Sequence, residues 1–198
     1  MQDQPSINVI YPANINMSGY APYTTFATAQ DLFGDQAATV AAATQANIST
    51  WAEQMSVRTG LSKDALETRY NLQHEVMFKS NTTIAEMLTT NLGGGLVSVA
   101  WPLLPFGMGS VHLQSTAPEF IDRPLIDPGY FRAEIDYQIM LAAGKTIQKF
   151  WLTEPASQLV ANGTSPGPST DAEWESYIKT TGELPSQPRH THPVLMTN

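Results

Sequence analysis

The sequence predicts a mixed α+β fold. Helical repeats occupy positions 37–55 and 136–151, a β-prone run from Leu96 to Trp101 lies between them, and the extended segments are too scattered for a regular βαβ series. At 198 residues and 42% hydrophobic, the chain can bury one substantial core. No run approaches the roughly 18 consecutive apolar residues that a membrane span needs.

The elements follow in order. Ser6 to Ile10 alternates as a strand, closed by Tyr11-Pro12. Tyr20 to Phe26 reads as a second extended piece across a turn at Gly19. Ala37, Val40, Ala41, Thr44, Ile48, Trp51, Ala52 and Met55 recur at helical spacing, with Gly60 placed to terminate that helix. Ser62 can cap a following helix whose Leu66, Tyr70 and Met77 share a face. Thr83-Ile84-Ala85-Glu86 has capping-box spacing and predicts a short helix through Thr90. After the Gly93-Gly94-Gly95 turn come the Leu96–Trp101 run, breaks at Pro102 and Pro105, and a strand at Ser110–Gln114 with Val111 and Leu113 on one face. Ile135, Ile139, Ala142, Ala143, Ile147 and Phe150 stripe the second long helix. A Gly-, Pro- and Ser-rich loop leads to a last short helix at Asp171–Ile178, its acids at the favourable N-terminal end.

Charge and composition exclude several classes. With 18 acids against 10 bases, the chain repels polyphosphate and anionic lipid, so neither nucleic acid nor membrane is an expected partner. The absence of cysteine removes disulfides, zinc–thiolate sites and thiol nucleophiles. Met1 to Pro5 has neither a basic nor an apolar signal region, while N-x-[ST] sequons at Asn16, Asn47, Asn81 and Asn162 point weakly to a secretory ancestor. The compartment stays unassigned.

Few clusters suggest chemistry by themselves. The glycine run lacks G-x-G-x-x-G spacing and leads into a strand, so it reads as a turn rather than a phosphate cradle. His190 and His192 could share a metal only on an extended strand, and no carboxylate cluster completes a shell. His112, opposite Val111 and Leu113, and His74, within a helix, read as surface or partner-facing. Asp127 and Asp136 could pair for acid–base work; the simpler reading is a turn at Asp127-Pro128-Gly129 and helix support from Asp136. Trp101, Phe106, Tyr130, Phe131 and Trp151 read as core, with a substrate platform as the alternative.

From Trp101 onward an ordered set of motifs resembles a known family. Trp101-Pro102-Leu103-Leu104-Pro105-Phe106, Gly109-Ser110-Val111-His112, Ile126-Asp127-Pro128-Gly129-Tyr130-Phe131, the Glu173–Ile178 helix and His192-Pro193-Val194 follow at family-like spacing. Together with Gln2-Asp3-Gln4-Pro5, they resemble the substrate-binding domain of the glucose-methanol-choline oxidoreductases, in their fungal aryl-alcohol-oxidase-like and glucose-oxidase-like forms. The resemblance implies a mostly antiparallel sheet flanked by helices. It also implies a parent activity in which FAD oxidises a small-molecule alcohol, in fungal secondary metabolism or lignocellulose chemistry. In the family a histidine at the position of His192 acts as base on the alcohol while hydride passes to the flavin; His190 is the register-shifted alternative.

Departures from the pattern shape the remaining expectations. The family's dinucleotide fingerprint is absent, Gly107-Met108 replaces its Ser-Arg, and Leu195-Met196 replaces the Gly-Thr after His-Pro-Val. The expectation is a single incomplete substrate-binding domain over residues 1–198, with a frayed tail at 186–198, inactive alone and binding no FAD of its own. Its flavin-facing side would expose apolar area and could dock a flavin-binding partner chain. The alternatives are a non-catalytic module associating with a full-length relative, and an incomplete gene product.

Overall fold

The computed structural model describes residues 2–15, 22–92, 94–117 and 124–181. Its strands are β1 (Ile7–Pro12), β2 (Tyr23–Thr28), β3 (Thr83–Leu92), β4 (Gly95–Pro102), β5 (Ser110–Leu113) and β6 (Pro124–Asp127). Its helices are α1 (Ala29–Phe33), α2 (Ala37–Thr59), α3 (Lys63–Lys79), α4 (Glu134–Leu152) and α5 (Asp171–Thr181). The first four strands form an antiparallel sheet in the order β1-β4-β3-β2, and β5-β6 is a separate antiparallel ribbon. The architecture is α+β, as the sequence predicts.

Local signals explain most boundaries. Gly60 ends α2 in a left-handed conformation (φ 71°), its N–H donating to Ser56 O at 2.9 Å. Ser62 starts α3, its hydroxyl accepting from Ala65 N at 3.2 Å. The reading of Thr83–Thr90 as a helix is overturned. Those residues lie in β3, hydrogen-bonded to strands on both sides. The T-x-x-E spacing favours a helix only while the backbone lacks other partners, and a central strand with β-branched residues gains two ladders. The capping box is instead Thr28 with Asp31, which opens α1; this short helix follows β2 directly, and the sequence reading did not propose it.

Two cores meet at α4. Between α2, α3 and the start of α4, the side chains of Ile48, Trp51, Met55, Leu66, Tyr70, Met77, Phe106, Ile135 and Ile139 are buried together. Between the sheet, α4 and α5, the buried set is Ile7, Val9, Tyr11, Met87, Leu96, Ala100, Met140, Ala143, Ile147, Trp151, Trp174 and Ile178. The observed stripe on α4 is therefore rotated from the predicted one: Met140 and Gly144 are inside, and Phe150 is exposed. Trp151 Nε1 donates to Ser98 Oγ at 2.9 Å, fixing the end of α4 to β4. His74 is not on the surface. It is buried, with Nε2 2.9 Å from Ala41 O, and ties α3 to α2.

Gly144 lets three elements touch. A Cβ there would sit 2.6 Å from Trp174 Cζ3 and 2.9 Å from Ile7 Cδ1. Trp174 and Ile7 are both fully buried, so neither can swing aside. Gly144→Ala gains about 0.5–1 kcal/mol of helix propensity, but overpacking costs about 1–3 kcal/mol. The expected outcome is a net loss of about 1–2 kcal/mol, read as a lower urea midpoint at unchanged m. A midpoint equal to or above wild type would show that α4 and α5 are loosely packed.

Candidate functional site on the open face of the sheet

The pleat divides the sheet into two unlike faces. Ile7, Val9, Tyr11, Met87, Leu96 and Ala100 point into the core with α4 and α5. The alternate residues point the other way, and among the described residues they belong to neither buried core. The register arranges them in rows. Glu86 lies opposite both Trp101 and Phe26. In the next row Val99 lies between Asn8 and Leu88, with Thr24 beyond Leu88. Val97 then lies between Ile10 and Thr90, and Gly95 between Pro12 and Leu92.

This face is apolar and partly bare. Ile10, Phe26 and Leu92 are 58%, 54% and 52% exposed, well above what an ordinary core side chain shows. Glu86 is its one charged residue, flanked across the strands by two aromatic rings. The Thr90 hydroxyl is buried and has no hydrogen-bond partner among the described residues. Thr90 is 7% exposed, so this hydroxyl is shut off from anything that lies on the face.

The loop after β4 is held by a buried carboxylate. Asp136, in the first turn of α4, accepts Phe106 N–H at Oδ1 and Gly107 N–H at Oδ2, both at 2.7 Å. It is 1% exposed, and burial pushes its pKa up to about 7 although the two amides pull it down. Its role is a clamp between α4 and the segment that follows Trp101. A Cβ at position 107 would fall 2.7 Å from Gly129 O and 3.0 Å from Asp136 Oδ2, which accounts for glycine there. Asp127 acts elsewhere: Arg132 Nη2 donates to it at 2.7 and 2.5 Å, and Arg58 approaches at 3.5 Å. The Arg132 hydrogen bond holds the Asp127 carboxyl below the ordinary aspartate range. Gly129 N–H also returns to Asp127 Oδ1 at 3.1 Å, the turn expected from Asp-Pro-Gly.

The other sequence candidates separate. His190 and His192 lie outside the described residues. His112 is exposed on the β5-β6 ribbon, where Val111 and Leu113 are also exposed, so that strand has no buried face. Of the aromatics, Phe106 and Trp151 are core, whereas Trp101, Tyr130 and Phe131 are only partly buried. Glu86 and Leu88 were not singled out from sequence, because a helix through Thr90 gives them no common face with Phe26 of the extended piece that ends there. Reading 83–92 at period two would have put them there. Among the described residues no group of His, Cys, Asp and Glu is placed to hold a metal, and no helix is long and apolar enough to cross a membrane.

Comparison with known proteins defines the class first. A solved fungal aryl-alcohol oxidase shares this fold with a TM-score of 0.67, at 15% identity over 89% of this chain and 35% of that one. A glucose oxidase-like protein, fsoC of Humicola fuscoatra, is 36% identical over 98% of the chain, and a glucose oxidase of Aspergillus carbonarius is 28% identical over 90%. No family model matches the chain. The chain is homologous to the glucose oxidase-like proteins of the glucose-methanol-choline oxidoreductase family. It spans about a third of the length of the curated relatives it matches, 33% of the Humicola protein and 30% of the Aspergillus one.

Proposed function

We propose that the chain is the substrate-binding portion of a FAD-dependent oxidoreductase that oxidises an alcohol, and that the open sheet face is the wall against which the alcohol lies. The observation that carries this reading is the two-sidedness of the sheet: helices cover one face, and the other presents Trp101, Glu86 and Phe26 in a row. An apolar surface with a few polar groups is the usual chemistry of a small-molecule site. His192 is the proposed base that takes the proton from the alcohol hydroxyl, with His190 as its register-shifted alternative.

The described residues do not fit a dinucleotide. Gly95 lies in register with Leu92 and Pro12 and opens strand β4, so the glycine run feeds a sheet rather than a helix N-terminus. FAD in this reading is held by the nucleotide-binding part of the oxidase, outside the described residues. The chain purified alone is expected to be colourless after incubation with FAD.

Co-expression with the part of the Humicola relative that this chain does not span tests the assignment. Alcohol-dependent turnover should appear, and His192→Ala should lower kcat by about 100- to 10,000-fold, while His190→Ala leaves it within a small factor. A stoichiometric flavin band on the chain alone would refute the division of labour. Stable association without turnover would favour a non-catalytic module instead.

A further inference from the structure

We propose a second binding site, a cleft beside the start of α4 that takes a small carboxylic acid with a compact apolar body. Trp101, Glu86 and Phe26 do not line it, so it is separate from the open sheet face and independent of the reading of that face as a substrate wall.

The cleft has a volume of about 480 Å³, within the range of small-molecule sites. Its apolar lining comes from α2, with Trp51, Met55 and Val57, and from Phe106 and Ala133 on the other side. Trp51 stands edge-on to Phe106, which stacks on Tyr70, so the back of the cleft is a packed aromatic layer. Val57, 80% exposed, supplies apolar surface that water reaches freely.

Arginines supply the other half of the chemistry. Arg58 and Arg132 both line the cleft, with side chains 50% and 23% exposed. They share one carboxylate, Asp127, unequally. Arg132 Nη2 holds both of its oxygens, at 2.7 and 2.5 Å, whereas Arg58 meets one oxygen at 3.5 Å. A guanidinium carries five N–H donors in a rigid fork, so Arg58 keeps most of its own for a second carboxylate.

A third positive charge stands close by. Arg69 Nη1 donates to Met108 Sδ at 3.0 Å, and Arg132 Nη1 donates to the carbonyl of the same residue at 3.4 Å. A thioether cancels no charge, and Arg69 has no ion pair among the described residues. The neighbouring acids do not balance the three arginines. Glu53 lies 3.4 Å from Lys63, and Asp136 turns its two oxygens to the amides of Phe106 and Gly107. On a chain with 18 acids and 10 bases, such a local excess of positive charge draws in a small anion.

A compact apolar acid uses both halves. Its carboxylate takes the Arg58 fork and displaces only the long contact to Asp127, while Arg132 keeps its grip on the turn. Its body removes water from Val57 and Trp51, with a gain proportional to the apolar area covered. Inorganic phosphate would leave that surface wet, and a neutral ligand would forfeit the guanidinium.

The test is an NMR titration of the full chain with phenylacetate and, separately, with 2-phenylethanol and inorganic phosphate. Phenylacetate should shift the Trp51 indole, the Val57 methyls and the Arg58 Nε–H, with a Kd of about 1 mM or below. The alcohol and the phosphate should each bind at least about fivefold more weakly. Arg58→Gln should weaken phenylacetate by about fivefold or more, and Arg58→Lys, which keeps the charge without the fork, by less. Equal affinity for 2-phenylethanol would overturn the anionic class, and equal affinity for phosphate would overturn the apolar body. Binding unchanged by Arg58→Gln, or no shift at tens of millimolar acid, would overturn the site itself.

Discussion

Asp136→Ala is expected to destabilise the fold by about 2–6 kcal/mol, because it strands two buried amides at about 1–3 kcal/mol each. The amides of Phe106 and Gly107 have no water to turn to, since both residues and Asp136 itself are buried. Against a typical total of about 5–15 kcal/mol, this is enough to populate unfolded chain. The same carboxyl makes stability depend on pH with a definite sign. Its pKa is raised from 3.8 to about 7 by burial, with the two amide bonds opposing. Below pH 4 both folded and unfolded chains hold the proton. As pH rises the unfolded chain releases it first, so the contribution shrinks through the window and is lost above pH 7. The total change is on the order of 4 kcal/mol at about 1.4 kcal/mol per unit. Asp127 and Glu173 act oppositely in acid, their pKa values being lowered by Arg132 and by Ser169 respectively. The contribution of Asp136 is therefore read as a difference: urea unfolding from pH 4 to 8 should show a falling component in wild type that Asp136→Asn lacks. Parallel curves would mean that Asp136 is ionised throughout.

The long helices were legible because one periodic stripe decides them. Ile48, Trp51, Ala52 and Met55 on α2, and Leu66, Tyr70 and Met77 on α3, are buried where their spacing puts them. Glycine and serine at the α2–α3 junction carry the boundary in their own backbone preferences. β3 was not legible in this way. Thr83 and Glu86 give a local helix signal, and only the long-range pairing with β2 and β4 overrides it. The error propagated to function. With 83–90 taken as a helix, Glu86 had no reason to meet Trp101 or Phe26, and the open face could not be drawn. Trp101 itself was noticed, as core with a platform as the alternative; it is half-buried on that face.

Asp136 illustrates a second limit. Its position at the start of a helix suggested capping or support of that helix, and the charge does sit in the first turn. Its hydrogen bonds go instead to residues about thirty positions earlier, a contact that no local pattern records. The family motifs gave more than the periodicity here, because an ordered set of short signatures reflects tertiary constraints. Gly109-Ser110-Val111 and Ile126-Asp127-Pro128-Gly129 occur together for a steric reason that becomes visible only when the two segments are seen side by side.

Gly109→Ala is expected to be the costlier of the two glycine tests. A Cβ there would lie 2.0 Å from Asp127 O and 2.4 Å from Pro128 O, distances that no real side-chain contact tolerates. These are backbone oxygens, so no rotamer change relieves them. The turn that carries them is pinned: Asp127 is gripped by Arg132 at 2.7 and 2.5 Å and by Gly129 N–H at 3.1 Å. Gly129 completes the crossing from the other side, at φ 72°, where a Cβ would come 2.2 Å from Met108 O. The two glycines thus let two backbones pass with no side chain between them, and the pairing of Ser110 with Asp127 in the β5-β6 ribbon starts from that crossing. Overpacking usually costs about 1–3 kcal/mol, and rigid neighbours place this substitution at or above the upper end. At about 2–4 °C per kcal/mol for a chain of this size, Tm should fall by roughly 6–12 °C. Gly95→Ala is the control, since its Cβ meets the Leu92 carbonyl at 3.2 Å, a contact that small shifts can absorb. Its Tm should stay within about 4 °C of wild type. Equal losses for the two variants would mean that the segments at Gly109 and Gly129 do not cross at contact distance in solution.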